Sequence, residues 1–223
     1  MAVGKRPSGL AVLRDGSKVF VANSEADTVS VIDTATFTVT GAIPLDVNVE
    51  PYGVLAHPDS STVYVSSYVG SNVSVLDVAT GTATNTIPVQ AKPKGITIDP
   101  DFPAALAIHP DGGTLYVSLQ RLSVSVPISG VAVVDSVTGS QTQVIPGFWL
   151  PHGLSGHPLG DRLYVVDTPA DAVEILDTSS DTVVDSVAVG YGPYAFGEYF
   201  IRTLLFADGF ELGNLTAWSH WIP

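Results

Sequence analysis

The sequence predicts an all-β protein, because one unit of short strands is repeated along its 223 residues. Each copy runs from a proline through an apolar strand and a polar turn into a second strand. This second strand usually contains Tyr-Val, and it is followed by a third strand of the form Val-x-Val-x-Asp, or Val-x-Ile-x-Asp in the fourth copy. A period near forty with several strands per unit is typical of the four-stranded antiparallel blades of a β-propeller. At spacings of 44, 42, 58 and 42 residues, the anchoring prolines are Pro7, Pro51, Pro93, Pro151 and Pro193.

The first unit shows how the strands follow from residue type. Residues 8–13 form an apolar inner strand that ends at a turn over 14–17, where Asp15 and Gly16 occupy positions that turns favour. β-Branched and aromatic residues fill the following stretches, whereas Gly, Pro, Asp, Asn and Ser separate them. The next strands are predicted at 18–23, 28–33 and 37–44. The second and fourth units repeat the pattern at 53–57, 62–67, 72–77 and 82–89, and at 153–157, 162–167, 172–177 and 182–189.

The third unit is longer than the others for two reasons. Residues 92–101 (KPKGITIDPD) are followed by a near-duplicate at 102–111 (FPAALAIHPD). The loop after Tyr116 and Val117 then carries six extra residues within QRLSVSVPISG. Loops positioned by a rigid scaffold often carry the binding residues, so this insertion is a candidate functional element.

The repeats predict one propeller region and a short tail. The region covers residues 1–201, with units at about 6–49, 50–92, 93–150 and 151–192 and a closing inner strand at 193–201; the tail is 202–223. Three arrangements remain open. The chain is the C-terminal part of a larger propeller, a closed ring of four blades, or a half-propeller that forms a homo-oligomer through its open blade edges.

Composition excludes several classes of partner. The formal charge of −13, with only nine Lys and Arg residues, argues against nucleic acid. No apolar run is long enough to span a membrane, and the N-terminal MAVGKRPSGL lacks the apolar core of a signal peptide. The absence of cysteine excludes disulfides and thiolate chemistry.

Residues that recur in every unit are interpreted as structural. Asx turns explain the aspartates that end the third strands, because a carboxylate there accepts backbone N–H groups. His57, His109 and His157 each precede a proline at the same repeat position and are interpreted as turn residues. The aspartates at the ends of the third strands are Asp33, Asp77, Asp135 and Asp177.

The repeats resemble the YVTN family of β-propeller proteins. The stretches KVFVANSEADTVSVIDTATFTVTGAIPL and TVYVSSYVGSNVSVLDVATGTATNTIPV carry this resemblance, which covers roughly residues 3–201. It implies a surface-layer or secreted protein and, more distantly, a relation to lactonase-like propellers. The tail contains Asp208, Gly209, Phe210, Glu211 and Gly213 in the order D-G-F-E-x-G, which resembles a segment of secreted bacterial proteins. Both resemblances imply an extracellular or cell-surface location in a bacterium or archaeon.

The Pro-x-Gly joints bring one variable residue per blade to the mouth of the central channel. Tyrosine, lysine and histidine side chains at one mouth would bind a small anionic or sugar-like ligand through stacking and charged hydrogen bonds. The candidate ligand-binding residues are Tyr52, Lys94, His152, Tyr194, Arg6 and Arg121, the last on the inserted loop. The resemblance to lactonase-like propellers implies Ca²⁺ as an alternative, with Glu50, Asp167 and His152 as candidate ligands.

The sequence favours a non-catalytic function. It has no phosphate-binding loop or zinc-protease motif, and its one approximation to a nucleophile motif lies on an inner strand, so no catalytic residue is assigned. The favoured hypothesis is an extracytoplasmic scaffold, without a cofactor, that binds a small molecule, glycan or protein through loops of one face. The alternative is a Ca²⁺-dependent hydrolase of the lactonase or phosphotriesterase kind, with its site at the channel mouth.

Overall fold

A computed structural model describes residues 2–90, 102–120 and 129–194, and the strands in these ranges form four antiparallel sheets of four strands each. This architecture confirms the predicted all-β propeller fold. Blade 1 contains β1 (Pro7–Val12), β2 (Lys18–Asn23), β3 (Thr28–Asp33) and β4 (Thr38–Pro44); blade 2 contains β5 (Pro51–Ala56), β6 (Thr62–Ser67), β7 (Asn72–Asp77) and β8 (Thr82–Pro88). Blade 3 contains β9 (Phe102–Ile108), β10 (Thr114–Gln120), β11 (Ser129–Asp135) and β12 (Ser140–Phe148); blade 4 contains β13 (Pro151–Gly156), β14 (Arg162–Asp167), β15 (Ala172–Asp177) and β16 (Thr182–Ala188).

The innermost strands of blades 1, 2 and 4 begin at the anchoring proline, one or two residues earlier than predicted. Pro7 pairs with Asn23, Pro51 with Ser67, and Pro151 with Asp167. Proline is tolerated as the first residue of a strand, where its missing N–H does not interrupt the ladder. In each case the register shifts just after the proline, which marks a β-bulge at the start of the innermost strand.

The third blade takes its innermost strand from the second of the two near-duplicate segments. Pro103 pairs with Leu119, so it occupies the position that the spacing assigned to Pro93. Ala104 therefore follows the anchoring proline at the position predicted for Lys94. The physical reason is burial: β9 lies between two neighbouring blades, and every residue from Pro103 to Ile108 is apolar and buried. Pro93 and Lys94 lie outside the described residues.

In the part of the chain that the structure describes, three hydrophobic cores hold successive blades together. Each consists of one face of a blade packed on the facing side of the next, and the innermost strands contact in the order β1, β5, β9, β13. The first core includes Phe20, Val29, Val63 and Leu76; the second Tyr64, Ile87, Leu115 and Val117; the third Tyr116, Phe148, Leu163 and Val165. The aromatic residue of the second strand thus packs against the following blade in each interface.

The two ends of this row of blades present apolar surface. Leu10 of β1 is 58% exposed, whereas its counterpart Val54 of β5 is 7% exposed because blade 1 covers it. At the other end every residue of β16 is exposed. The predicted closing strand falls largely on 195–201, and the tail on 202–223, outside the described residues. No helix among residues 2–90, 102–120 and 129–194 has both the length and the apolar character to cross a membrane.

The recurring aspartates form the predicted Asx turns. The carboxylates of Asp33, Asp77 and Asp135 accept the backbone N–H groups of Thr36, Thr80 and Thr138 at 2.6–2.8 Å. The recurring histidines are turn residues too. In the second blade, His57 Nδ1 lies 2.7 Å from Asp59 Oδ1 and His57 Nε2 lies 3.2 Å from the carbonyl oxygen of Gly112 in the next blade.

Asp177→Asn is expected to remove part of the acid sensitivity of the fold. The Ser179 hydroxyl, the backbone N–H groups of Ser180 and Ser179, and Arg162 lower the pKa of Asp177 to about 2 from 3.8. The ionised carboxylate therefore contributes stability above about pH 4, and this contribution is lost as the pH falls through about 2. Urea unfolding followed by circular dichroism should show the variant less stable than the wild type at neutral pH, with the gap closing in acid.

Asp46→Asn, on the loop after β4, provides a control with the same change of charge. A difference in unfolding free energy between wild type and Asp177→Asn that stayed constant from neutral to strongly acidic pH would contradict the prediction.

Candidate functional site

Three of the predicted mouth residues meet in the structure. Tyr52 and His152 are the second residues of the innermost strands β5 and β13, and Tyr194 follows β16. The hydroxyl oxygens of Tyr52 and Tyr194 are 2.9 Å apart, although 142 residues separate them in sequence. The ring centroids of Tyr194 and His152 are 4.1 Å apart, at an interplanar angle of 45°. Residues from blades 2 and 4, and from the chain beyond blade 4, therefore converge on one point.

Three further residues, which the sequence did not predict, extend this group. The ring of Tyr68 lies 5.2 Å from that of Tyr52 and 5.1 Å from that of Phe102. On the opposite side, Gln120 Nε2 lies 3.0 Å from His152 Nδ1. We call this set the mouth cluster; it consists of Tyr52, Tyr68, Phe102, Gln120, His152 and Tyr194.

Burial shifts the pKa values of three residues of the mouth cluster. Burial of Tyr52 and its hydrogen bond with Tyr194 raise the pKa of the Tyr52 phenol, and burial also raises that of Tyr68. Burial lowers the pKa of His152 below its ordinary value of 6.5. These shifts keep the phenols of Tyr52 and Tyr68 and the imidazole of His152 neutral at neutral pH.

Of the two arginines and the lysine predicted to bind ligand, the structure describes Arg6. Arg6 lies near enough to Tyr52 for its positive charge to oppose in part the rise in the pKa of that phenol. The backbone carbonyl of Arg6 accepts hydrogen bonds from the backbone and side chain of Ser24, which fixes the entry to β1. Lys94 and Arg121 lie outside the described residues.

The candidate Ca²⁺ ligands do not form a metal site in the described part of the chain. Asp167 is 2% exposed, and its two carboxylate oxygens accept the backbone N–H groups of Trp149 and Leu150 at 2.9 and 3.0 Å. Glu50 borders Tyr68, whose pKa its negative charge helps to raise. Within residues 2–90, 102–120 and 129–194, no three His, Asp or Glu side chains are grouped so as to hold a metal ion. These donors do not fit the oxygen-rich shell that Ca²⁺ requires.

The mouth cluster is suited to a small, uncharged and partly apolar ligand. Aromatic faces provide contact area, and the phenol hydroxyls and imidazole provide hydrogen-bonding groups whose positions are fixed by neighbouring blades. The cluster contains no lysine, arginine or carboxylate side chain, so hydrogen bonding and stacking, and not the charged hydrogen bonds expected from the sequence, would decide which ligand binds.

Comparison with models of protein families identifies the family of this chain. The model of a family described as lactonase, seven-bladed β-propeller, matches residues 13–184, which is most of the sequence. The chain belongs to the lactonase β-propeller family. The match begins after β1 and ends within β16, and it includes the innermost strands β5, β9 and β13 that position Tyr52, Phe102 and His152.

Several solved structures share the fold of this chain. A hydrazine synthase of Kuenenia stuttgartiensis matches with a TM-score of 0.71 and 23% identity, over 85% of this chain and 51% of that one. Candidate 6-phosphogluconolactonases of Bacteroides fragilis and Bacteroides uniformis each match with a TM-score of 0.66, at 18% and 16% identity, over 84% and 86% of this chain and 56% and 57% of theirs. The chain thus spans about half the length of these structures, and at such identities they show the fold alone. No curated protein matches significantly.

Proposed function

We propose that the chain forms part of a hydrolase acting on lactones or related esters, with the mouth cluster as its substrate site. The observation that carries the proposal is the meeting of Tyr52, His152 and Tyr194 at one point of a lactonase-family propeller. The candidate 6-phosphogluconolactonases among the structures of similar fold support the same class of reaction.

The chemistry of lactone hydrolysis matches the groups present. Water adds to the carbonyl carbon, negative charge develops on the carbonyl oxygen, and the ring C–O bond then breaks to give a hydroxy acid. Hydrogen-bond donors held at the position of that oxygen stabilise the charge, and they act most strongly in a site that excludes water. Tyr52 and Tyr194 place two hydroxyl groups 2.9 Å apart at the mouth cluster, where Tyr194 is still 53% exposed and a bound substrate would have to displace water.

A non-catalytic scaffold is the competing function, and it predicts binding at the same cluster without turnover. The surface-layer type of the repeats and an extracytoplasmic location are part of the proposal, and they rest on the resemblances of the repeats and tail alone. Calcium dependence rests on the resemblance to lactonase-like propellers, because the described carboxylates do not form a suitable site.

An assay of folded protein against a panel of lactones, aryl esters and phosphotriesters tests the proposal. Each substrate is offered with added Ca²⁺ and, separately, with EDTA. We expect turnover of lactones that EDTA leaves unchanged. Turnover that EDTA removes and Ca²⁺ restores would show that residues outside the described ranges complete a metal site. The absence of turnover across the panel would contradict the proposal and favour the scaffold.

A further inference from the structure

Gln120 connects two blades through its side-chain amide. It is the last residue of β10 in blade 3 and is 2% exposed. Its Nε2 lies 3.2 Å from the carbonyl oxygen of Pro151 and 3.0 Å from Nδ1 of His152, both on β13 of blade 4. Buried polar groups are nearly always hydrogen-bonded, so these two contacts account for both protons of the amide nitrogen.

The carbonyl of Pro151 fixes which way the amide of Gln120 points. Rotating the amide by a half-turn would place its oxygen against another carbonyl oxygen, and neither atom has a proton to share. Nε2 therefore faces Pro151, and the same NH₂ group faces His152. Since an NH₂ group only donates, Nδ1 of His152 must accept, and the single proton of the neutral ring must sit on Nε2.

We propose that Gln120 is a positioning residue that holds His152 as its Nε2–H tautomer, so that the mouth cluster offers substrate an N–H donor instead of a general base. Nδ1 is occupied by Gln120, and the ring nitrogen directed away from Gln120 carries the proton. Such a ring would bind the carbonyl oxygen of a lactone or ester and would not remove a proton from it. The tautomer follows from the geometry by itself, whereas the role toward a lactone rests on the proposed function.

The surroundings of His152 agree with a neutral donor. Its ring packs on the ring of Tyr194, and burial disfavours the imidazolium form. Protonation at Nδ1 would also set an N–H group against the amide N–H of Gln120. A neutral imidazole can polarise a carbonyl group by hydrogen bonding while it carries no charge of its own.

Nuclear magnetic resonance measures the tautomer directly. In protein labelled with ¹⁵N-histidine, long-range proton–nitrogen correlations distinguish Nε2–H, Nδ1–H and imidazolium rings. The signals of His152 among the five histidines are those lost in the His152→Phe variant. We expect the Nε2–H pattern for His152 at neutral pH. A pattern of Nδ1–H or imidazolium in the wild-type protein would overturn the proposal without any substitution at Gln120.

Two substitutions then test whether Gln120 sets the tautomer. Gln120→Glu places a carboxylate beside Nδ1 and should move the proton to Nδ1 or charge the ring. Gln120→Met keeps the length but removes both donors and should give a mixture of tautomers. Gln141→Glu, on β12 beside Gln90, makes the same change of charge at a different site and should leave His152 unchanged.

The outcomes separate this inference from the proposed function. An Nε2–H signal that persists unchanged in a folded Gln120→Met variant would show that Gln120 does not set the tautomer. An Nε2–H ring that depends on Gln120, in a protein that hydrolyses no member of the panel, would uphold the positioning role and refute the hydrolase. With turnover present, Gln120→Glu should change the pH profile of kcat, and Gln141→Glu should not.

Discussion

Gly53→Ala is expected to destabilise the fold by about 3 kcal/mol or more, which is at the upper end of the cost of overpacking a core. Gly53 follows Tyr52 on β5, at a point where the backbone of the neighbouring blade approaches closely. A Cβ added to Gly53 would lie 2.3 Å from the carbonyl oxygen of Ala104 on β9. The Ser66 hydroxyl fills the adjoining space, accepting the N–H of Gly53 at 2.8 Å and donating to the Ala104 carbonyl at 2.7 Å. The new methyl group would therefore separate two innermost strands.

Chemical unfolding followed by circular dichroism measures the effect of this substitution. Gly41→Ala is the matched control, because a Cβ at Gly41 on the exposed strand β4 would meet no atom within 4 Å. We expect that control to unfold within about 0.5 kcal/mol of the wild type, as is usual for surface substitutions. Equal stability of Gly53→Ala and Gly41→Ala would refute the close approach of β5 to β9. Gly9→Ala should resemble Gly53→Ala, since its Cβ would lie 2.2 Å from the Tyr52 carbonyl oxygen.

His152→Phe is expected to lower kcat for lactone hydrolysis about 10²- to 10³-fold, the usual loss when one donor to a developing oxyanion is removed. Phenylalanine retains a ring that can pack on Tyr194, at present 4.1 Å from His152, but it has neither nitrogen. A hydrogen bond made mainly in the transition state would affect kcat more than KM.

Steady-state kinetics on the best substrate of the panel measure this loss. His157→Gln is the control, because His157 follows β13 at the end opposite His152 and its Nδ1 contacts Asp161 at 2.6 Å. We expect the control to keep its kcat. A folded His152→Phe variant with wild-type kcat and KM would exclude His152 from the reaction.

The blades could be predicted because the repeat depends on residues that are close together in the sequence. Turn residues, β-branched strands and anchoring prolines recur at fixed offsets, so the position after each proline could be assigned to the channel mouth. That rule correctly placed Tyr52 and His152 together at the mouth. The same rule misplaced the third innermost strand, because two adjacent segments carried the same motif. Only packing between neighbouring blades distinguished the apolar copy from the one containing lysines.

The other members of the mouth cluster depend on contacts that a repeat does not encode. Tyr68 and Gln120 lie at the ends of second strands, where the sequence varies between blades, and their partners are on different blades. Gln120 lies next to the inserted loop, and this insertion was the one sequence feature that could have indicated its role. Asp167 resembled a metal ligand in sequence, yet its carboxylate accepts backbone N–H groups, because a buried loop must satisfy its own amides.

The contact between Tyr52 and Tyr194 has a thermodynamic consequence for ligand binding. Each core of the row joins only blades adjacent in sequence, so the stability of the row is approximately a sum of nearest-neighbour terms. The two tyrosines, by contrast, join the second blade to the chain that follows the fourth. A molecule held between them acts as a non-covalent cross-link across the array. Its binding energy is then shared by several interfaces at once, and the array unfolds more cooperatively with the molecule bound than without it.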